Sequence, residues 1–138
     1  MGIITMIIHK QKILAALVAL TSIIATAQAM QDNLSIEKAL LSKRPFAQIM
    51  SIAENSRVQH ELRIYALETL VYQERDFELQ ARARLMLAGC YRTGALHRRL
   101  SMNTALELVE PINSMPVSAE IKKQAQEELA MLKILSLK

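Results

Sequence analysis

Proline and glycine are scarce in this 138-residue chain, three of each, and their placement sets the outline of the fold. Pro45, Gly94, Pro111 and Pro116 fall between segments whose apolar residues recur at three- and four-residue spacing, the period of a helix with one buried face. No β-branched run alternates at period two, so strands are not expected. The chain reads as all-α, made of antiparallel helical hairpins, because helices joined by short connections pack as antiparallel neighbours.

The N-terminus belongs to a different class of segment. Residues up to Lys12 carry His9, Lys10 and Lys12 and no acid; Ile13 to Ile24 is uncharged and mostly apolar; Ala25-Thr-Ala-Gln-Ala29 follows. A basic start, an apolar middle and small residues at Ala27 and Ala29 describe a secretory signal peptide cleaved before Met30. Met6 is an alternative start that shortens the basic region. A spanning helix needs roughly 20 apolar residues, and the stretch from Ile13 to Ala29 is shorter and ends among polar Thr26 and Gln28. The expected product is residues 30–138, a single helical domain in the periplasm or secreted, with no stable membrane span after cleavage. Losing Lys10 and Lys12 lowers the net charge from +4 to +2. That balance excludes a globally basic nucleic-acid binder. The scattered Phe46, Tyr65, Tyr72, Phe77 and Tyr91 do not make a stacking platform for single strands.

Beyond Ala29 the helices are expected in order. A polar lead at Met30 to Asn33 precedes a short helix from Ser35 to Ser42. Pro45 suits the first turn of a second helix, which buries Phe46, Ile49, Met50 and Ala53 and closes on a left-handed Asn55. Ser56 caps a third with Gln59 in a capping box, its apolar stripe being Val58, Leu62, Tyr65, Ala66, Thr69, Leu70 and Tyr72. Asp76 opens a fourth that runs to about Arg92 and stops at Gly94. Ser101 opens a fifth, burying Ala105, Leu108, Val109 and Ile112, with a kink or early end at Pro111. Ser118 opens a sixth with Ile121, Ala125, Leu129, Leu132 and Leu135 on one face.

Within residues 80–135 the fourth helix carries Ala83, Leu87, Ala88, Tyr91 and Gly94, followed after a loop by Ala105, Leu108 and Ile112. This pattern resembles one unit of the tetratricopeptide repeat superfamily, particularly its Sel-type branch. The resemblance implies that Ala88 allows close helix approach, Tyr91 packs on the next helix, Gly94 makes the turn and Ala105 marks the helix crossing. A second start, Ala125, Leu129 and Ala130, departs from the pattern at Lys133 and Ser136, as a polar terminal capping helix does. The same residues also suit the core of a small helical bundle, so repeat fragment and bundle both stand at this point.

Residues that carry chemistry are few. The lone Cys90 permits no disulfide within the chain and reads as a small buried hydrophobe. His60-Glu61 lacks the second histidine one turn on that a zinc helix needs, and His97 lies in a loop far from it in sequence, so no metal or cofactor is expected. Glu74, Asp76 and Glu78 cluster where a helix begins, where acids cap and complement the dipole. Ser35, Ser56, Ser101 and Ser118 also fall at helix starts. The feature that stands apart is an acid-free stretch between Glu78 and Glu107 holding Arg82, Arg84, Arg92, His97, Arg98 and Arg99. Arginine pairs with carboxylate or phosphate in bidentate geometry. The expectation is therefore a non-enzymatic, exported interaction module that holds an acidic surface or segment of a protein partner on this basic patch. The alternative is a small inhibitor or immunity protein that blocks a secreted toxin or enzyme.

Overall fold

The computed structural model describes residues 2–73 and 75–138. The described residues form six α-helices and no strand: α1 (Gly2–Leu41), α2 (Phe46–Glu54), α3 (His60–Tyr72), α4 (Phe77–Thr93), α5 (Met102–Val109) and α6 (Ala119–Ser136). Two short 3-10 turns, Ala95–His97 and Glu110–Ser114, flank α5. The chain divides into a unit Met1–Glu37 and a unit Lys38–Lys138.

In the first unit the expected polar lead and separate short helix are not found; α1 is continuous from Gly2. No proline or glycine interrupts it after Gly2. The hydroxyls of Thr21, Ser22, Thr26 and Ser35 donate to carbonyls within the helix, Thr26 Oγ1 to Ser22 O at 2.9 Å and Ser35 Oγ to Gln31 O at 3.0 Å. The polar segment stays helical as Gln28 reaches Asp32 one turn on. An 18-residue window of α1 has a mean hydropathy of 2.0, apolar enough for a signal sequence or for a membrane anchor.

The second unit packs its helices in succession, α2 on α3, α3 on α4, α4 on α5 and α5 on α6, while α4 also touches α2 and α6. Two apolar cores result, and α4 serves both. Ala83, Leu87 and Cys90 face the core shared with α2 and α3; Ala81 and Ala88 face the one shared with α5 and α6. Each set follows helical spacing, offset from the other around the axis. Alanines at 81, 83 and 88, all fully buried, let neighbouring backbones approach from two sides. Fully burying a side chain such as Leu70 or Leu132 is worth about 1.5–3 kcal/mol.

Caps set the boundaries. Asp76 accepts the Leu79 N–H at 3.0 Å, Ser101 that of Thr104 at 3.2 Å and Ser118 that of Ile121 at 3.4 Å, as expected from sequence. Pro111 ends α5 early, the chain tightening into the 3-10 turn from Glu110. Between α2 and α3 the structure corrects the sequence reading. Asn55 is extended at φ −80°, and its side chain accepts the Arg57 N–H at 3.0 Å. That local turn displaces the Ser56 cap, so α3 starts at His60 with Gln59 in the cap position. Arg63 Nε then donates to the Ala53 carbonyl at the end of α2, 2.9 Å away.

The buried face of α3 is also broader than expected. Ile64, Leu67 and Val71 are buried, whereas Tyr72 is 80% exposed, because α3 is covered by α2 on one side and α4 on the other. Leu135 is exposed as well: α6 has 18 residues and the α5 it packs on has eight, so cover ends at Leu132. At the α3–α4 turn Gln73, buried, accepts the N–H groups of Arg75 and Asp76, and Gln80 donates to Val71 O and Gln73 O, both at 2.8 Å.

Gly94 ends α4 at φ 76°, its N–H bonded to Cys90 O at 2.8 Å. A methyl there meets nothing closer than 3.6 Å, so the cost of a side chain lies in the left-handed backbone alone. Gly94→Ala is expected to lower the unfolding free energy by about 1–2 kcal/mol in urea titration without changing helicity.

Candidate functional site

The residues that sequence reading grouped as a basic patch are sorted by the fold into two sets. Arg82, Arg84 and Arg92 lie on α4, whose two flanks are buried, so their side chains emerge along the seams with neighbouring helices. Arg82 Nη2 pairs with Glu54 Oε1 of α2 at 2.6 Å, and Arg92 Nε with Glu128 Oε1 of α6 at 2.6 Å. Arg84 Nη1 donates to the Leu108 carbonyl at 3.3 Å while its buried Nε has no partner. These arginines bridge α4 to α2, α5 and α6.

His97, Arg98 and Arg99 form the second set, on the bend after α4. Gly94 turns the chain into the Ala95–His97 segment, where Leu96 (φ 53°) and His97 (φ 58°) are both left-handed. A residue with a side chain adopts that conformation at a cost, and such residues cluster where function demands them. The bend is held by Arg98 N–H to Ala95 O at 3.1 Å, by Ser101 N–H to Tyr91 O at 2.9 Å and by Leu96 packing against the first core. Arg98 returns to extended backbone at φ −77° and ψ 139°. His97 and Arg99 are exposed; Arg98 is half-buried with its Nε enclosed and unpartnered.

The structure adds a residue to this set. The bend packs on α3 and places the His97 ring beside that of His60, ring centres 4.7 Å apart and inclined at 49°. The two histidines are distant in sequence, but α3 and α4 are joined by a tight turn, so the end of α4 returns to the start of α3. Hairpin arithmetic on the helix lengths is the signal that finds this pair. Of the acidic cluster, Asp76 is a cap and Glu78 accepts the Ser118 N–H through both carboxylate oxygens at 3.3 and 3.1 Å; Glu74 lies outside the described residues.

Cys90 is buried behind the bend. Burial pushes its thiol above the ordinary value of 9.0, while the charges of Arg63 and Arg98 pull the other way. A raised folded value stabilises the fold below the ordinary thiol range, and that contribution is lost as pH climbs through the folded value. Wild-type stability, followed by denaturant midpoint from pH 8 upward, is therefore expected to fall more steeply than that of Cys90→Ala.

The seam ion pairs differ in exposure, with side chains 24% and 15% exposed for Arg92–Glu128 and 44% and 45% for Arg82–Glu54. Glu128→Gln is expected to cost about 1–2 kcal/mol and Glu54→Gln under about 0.5 kcal/mol by the same denaturant titration, since solvent screens the outer pair. No family model, curated protein or solved structure matches the chain.

Proposed function

We propose that this chain is an exported, non-enzymatic helical module that binds an acidic partner protein, with α1 directing it to the periplasm or outside the cell. The observation that carries this reading is the sorting of the basic residues. Arg82 and Arg92 are matched by acids within the fold, whereas His97 and Arg99 stay exposed on a bend with costly backbone geometry. A surface kept basic and rigid by the core beneath it favours a partner of opposite charge.

The helix contacts support a stacked array of the tetratricopeptide kind. Helices α2, α4 and α6 touch in one row, and α3 and α5 fill the spaces between. Such arrays bury apolar faces between neighbouring repeats. For α1, the apolar window followed by Ala27-Gln28-Ala29 supports cleavage after Ala29.

Expression of the full chain in a bacterial host, followed by cell fractionation and cross-linking, tests both parts. The expected result is a shortened product in the periplasmic fraction, cross-linked to a protein partner, with processing blocked by Ala27→Leu plus Ala29→Phe. A full-length product held in the membrane would replace the signal peptide by an anchor. A processed product that cross-links to nothing would overturn the module reading.

A further inference from the structure

We infer that His60, His97 and Arg99 form a recognition corner for neighbouring carboxylates on an acidic segment of a protein partner. This rests on the module reading and names where the partner is held.

Two imidazoles with ring centres 4.7 Å apart can share a ligand of either sign. Bound to one metal through bonds of about 2.0–2.1 Å, two histidines hold their rings at about this spacing, so geometry alone leaves a cation possible. The surroundings choose the anion. The two residues that follow His97 are Arg98 and Arg99, and among the described residues no third histidine, cysteine or acid joins the pair as a metal-binding group. A divalent cation would have only two protein ligands here and would sit beside the arginines that follow His97, while a carboxylate would be attracted by them. Glu61, which follows His60, completes no metal-binding group with the pair.

The donors suit that ligand. Each imidazole keeps at least one N–H to donate whichever form it takes, and the Arg99 guanidinium presents a planar fork. All three side chains are exposed on an open surface, His60 from the regular helix α3 and the others from the bend. Donors spread over an open surface match carboxylates carried side by side on an extended segment; a single small anion would leave most of its acceptor sites to water. Leu96, anchored in the first core, fixes the direction of His97 before any partner arrives, which limits the ordering cost of binding.

The test uses the full chain in non-ionic detergent and a fluorescent oligoglutamate peptide followed by anisotropy. Saturable binding is expected, weakened about tenfold or more by Arg99→Glu combined with His97→Gln. Arg82→Gln, which removes a charge already matched by Glu54, should leave it unchanged. Circular dichroism checks that the variants remain helical, and His60→Gln, on a regular helix, provides a second weakening variant if the bend rearranges. Equal binding by wild type and the corner variants, or no binding by wild type, overturns the inference. So does inorganic phosphate displacing the peptide at an equal concentration of anion, or zinc binding one-to-one in wild type and lost in His60→Gln. If the corner variants still cross-link to the cellular partner, the corner is wrong and the module reading stands.

Discussion

The unit Lys38–Lys138 depends on α4 being thin enough to be buried from two sides. A helix that served one core would carry one apolar stripe and a wide polar face. Here two stripes, one through Ala83, Leu87 and Cys90 and the other through Ala81 and Ala88, leave only narrow arcs between them. Alanine is the side chain that permits close approach on both flanks while keeping full helix propensity. The arginines of α4 occupy the remaining arcs, where long stems lie along apolar neighbours and the charged ends reach polar atoms at the seams. Arg82, Arg84 and Arg92 meet a carboxylate, a carbonyl and a carboxylate on three different elements.

That arrangement explains why the bend after α4 differs from the helix before it. Once the helix ends at Gly94, the two cores no longer flank the chain on opposite sides, and the left-handed Leu96 and His97 followed by the extended Arg98 divide the side chains into inward and outward sets. Leu96 and Arg98 turn toward the first core and the region of Cys90; His97 and Arg99 turn to solvent. The contact between His97 and His60 follows from the hairpin, whose tight turn is fixed by Gln73 and Gln80 binding main-chain groups on both sides.

The all-α class and most boundaries were legible in the sequence because they depend on short-range chemistry. Asp76, Ser101 and Ser118 act as caps, Gly94 as a left-handed terminus and Pro111 as a stop, each through atoms within a few residues. Errors arose where two local options compete or where a distant element decides. Asn55 and Ser56 both offer a turn, and the Asn55 side chain took it, which moved the start of α3. The buried face of α3 is wider than a single apolar stripe implies, because α2 and α4 cover it from both sides. The basic patch was visible as a composition, but its division into matched and open charges needed Glu54 and Glu128, which lie on α2 and α6. The His60–His97 contact likewise depends on the hairpin that returns the end of α4 to the start of α3.

The left-handed pair at Leu96 and His97 places two demands in opposition. Glycine at either position would relax the main chain, but at 96 it would withdraw an apolar plug from the core and at 97 it would erase a ring. The most comfortable backbone and the most useful surface are therefore mutually exclusive at these two positions. Any route by which this protein gains robustness through the bend leads away from the corner it supports.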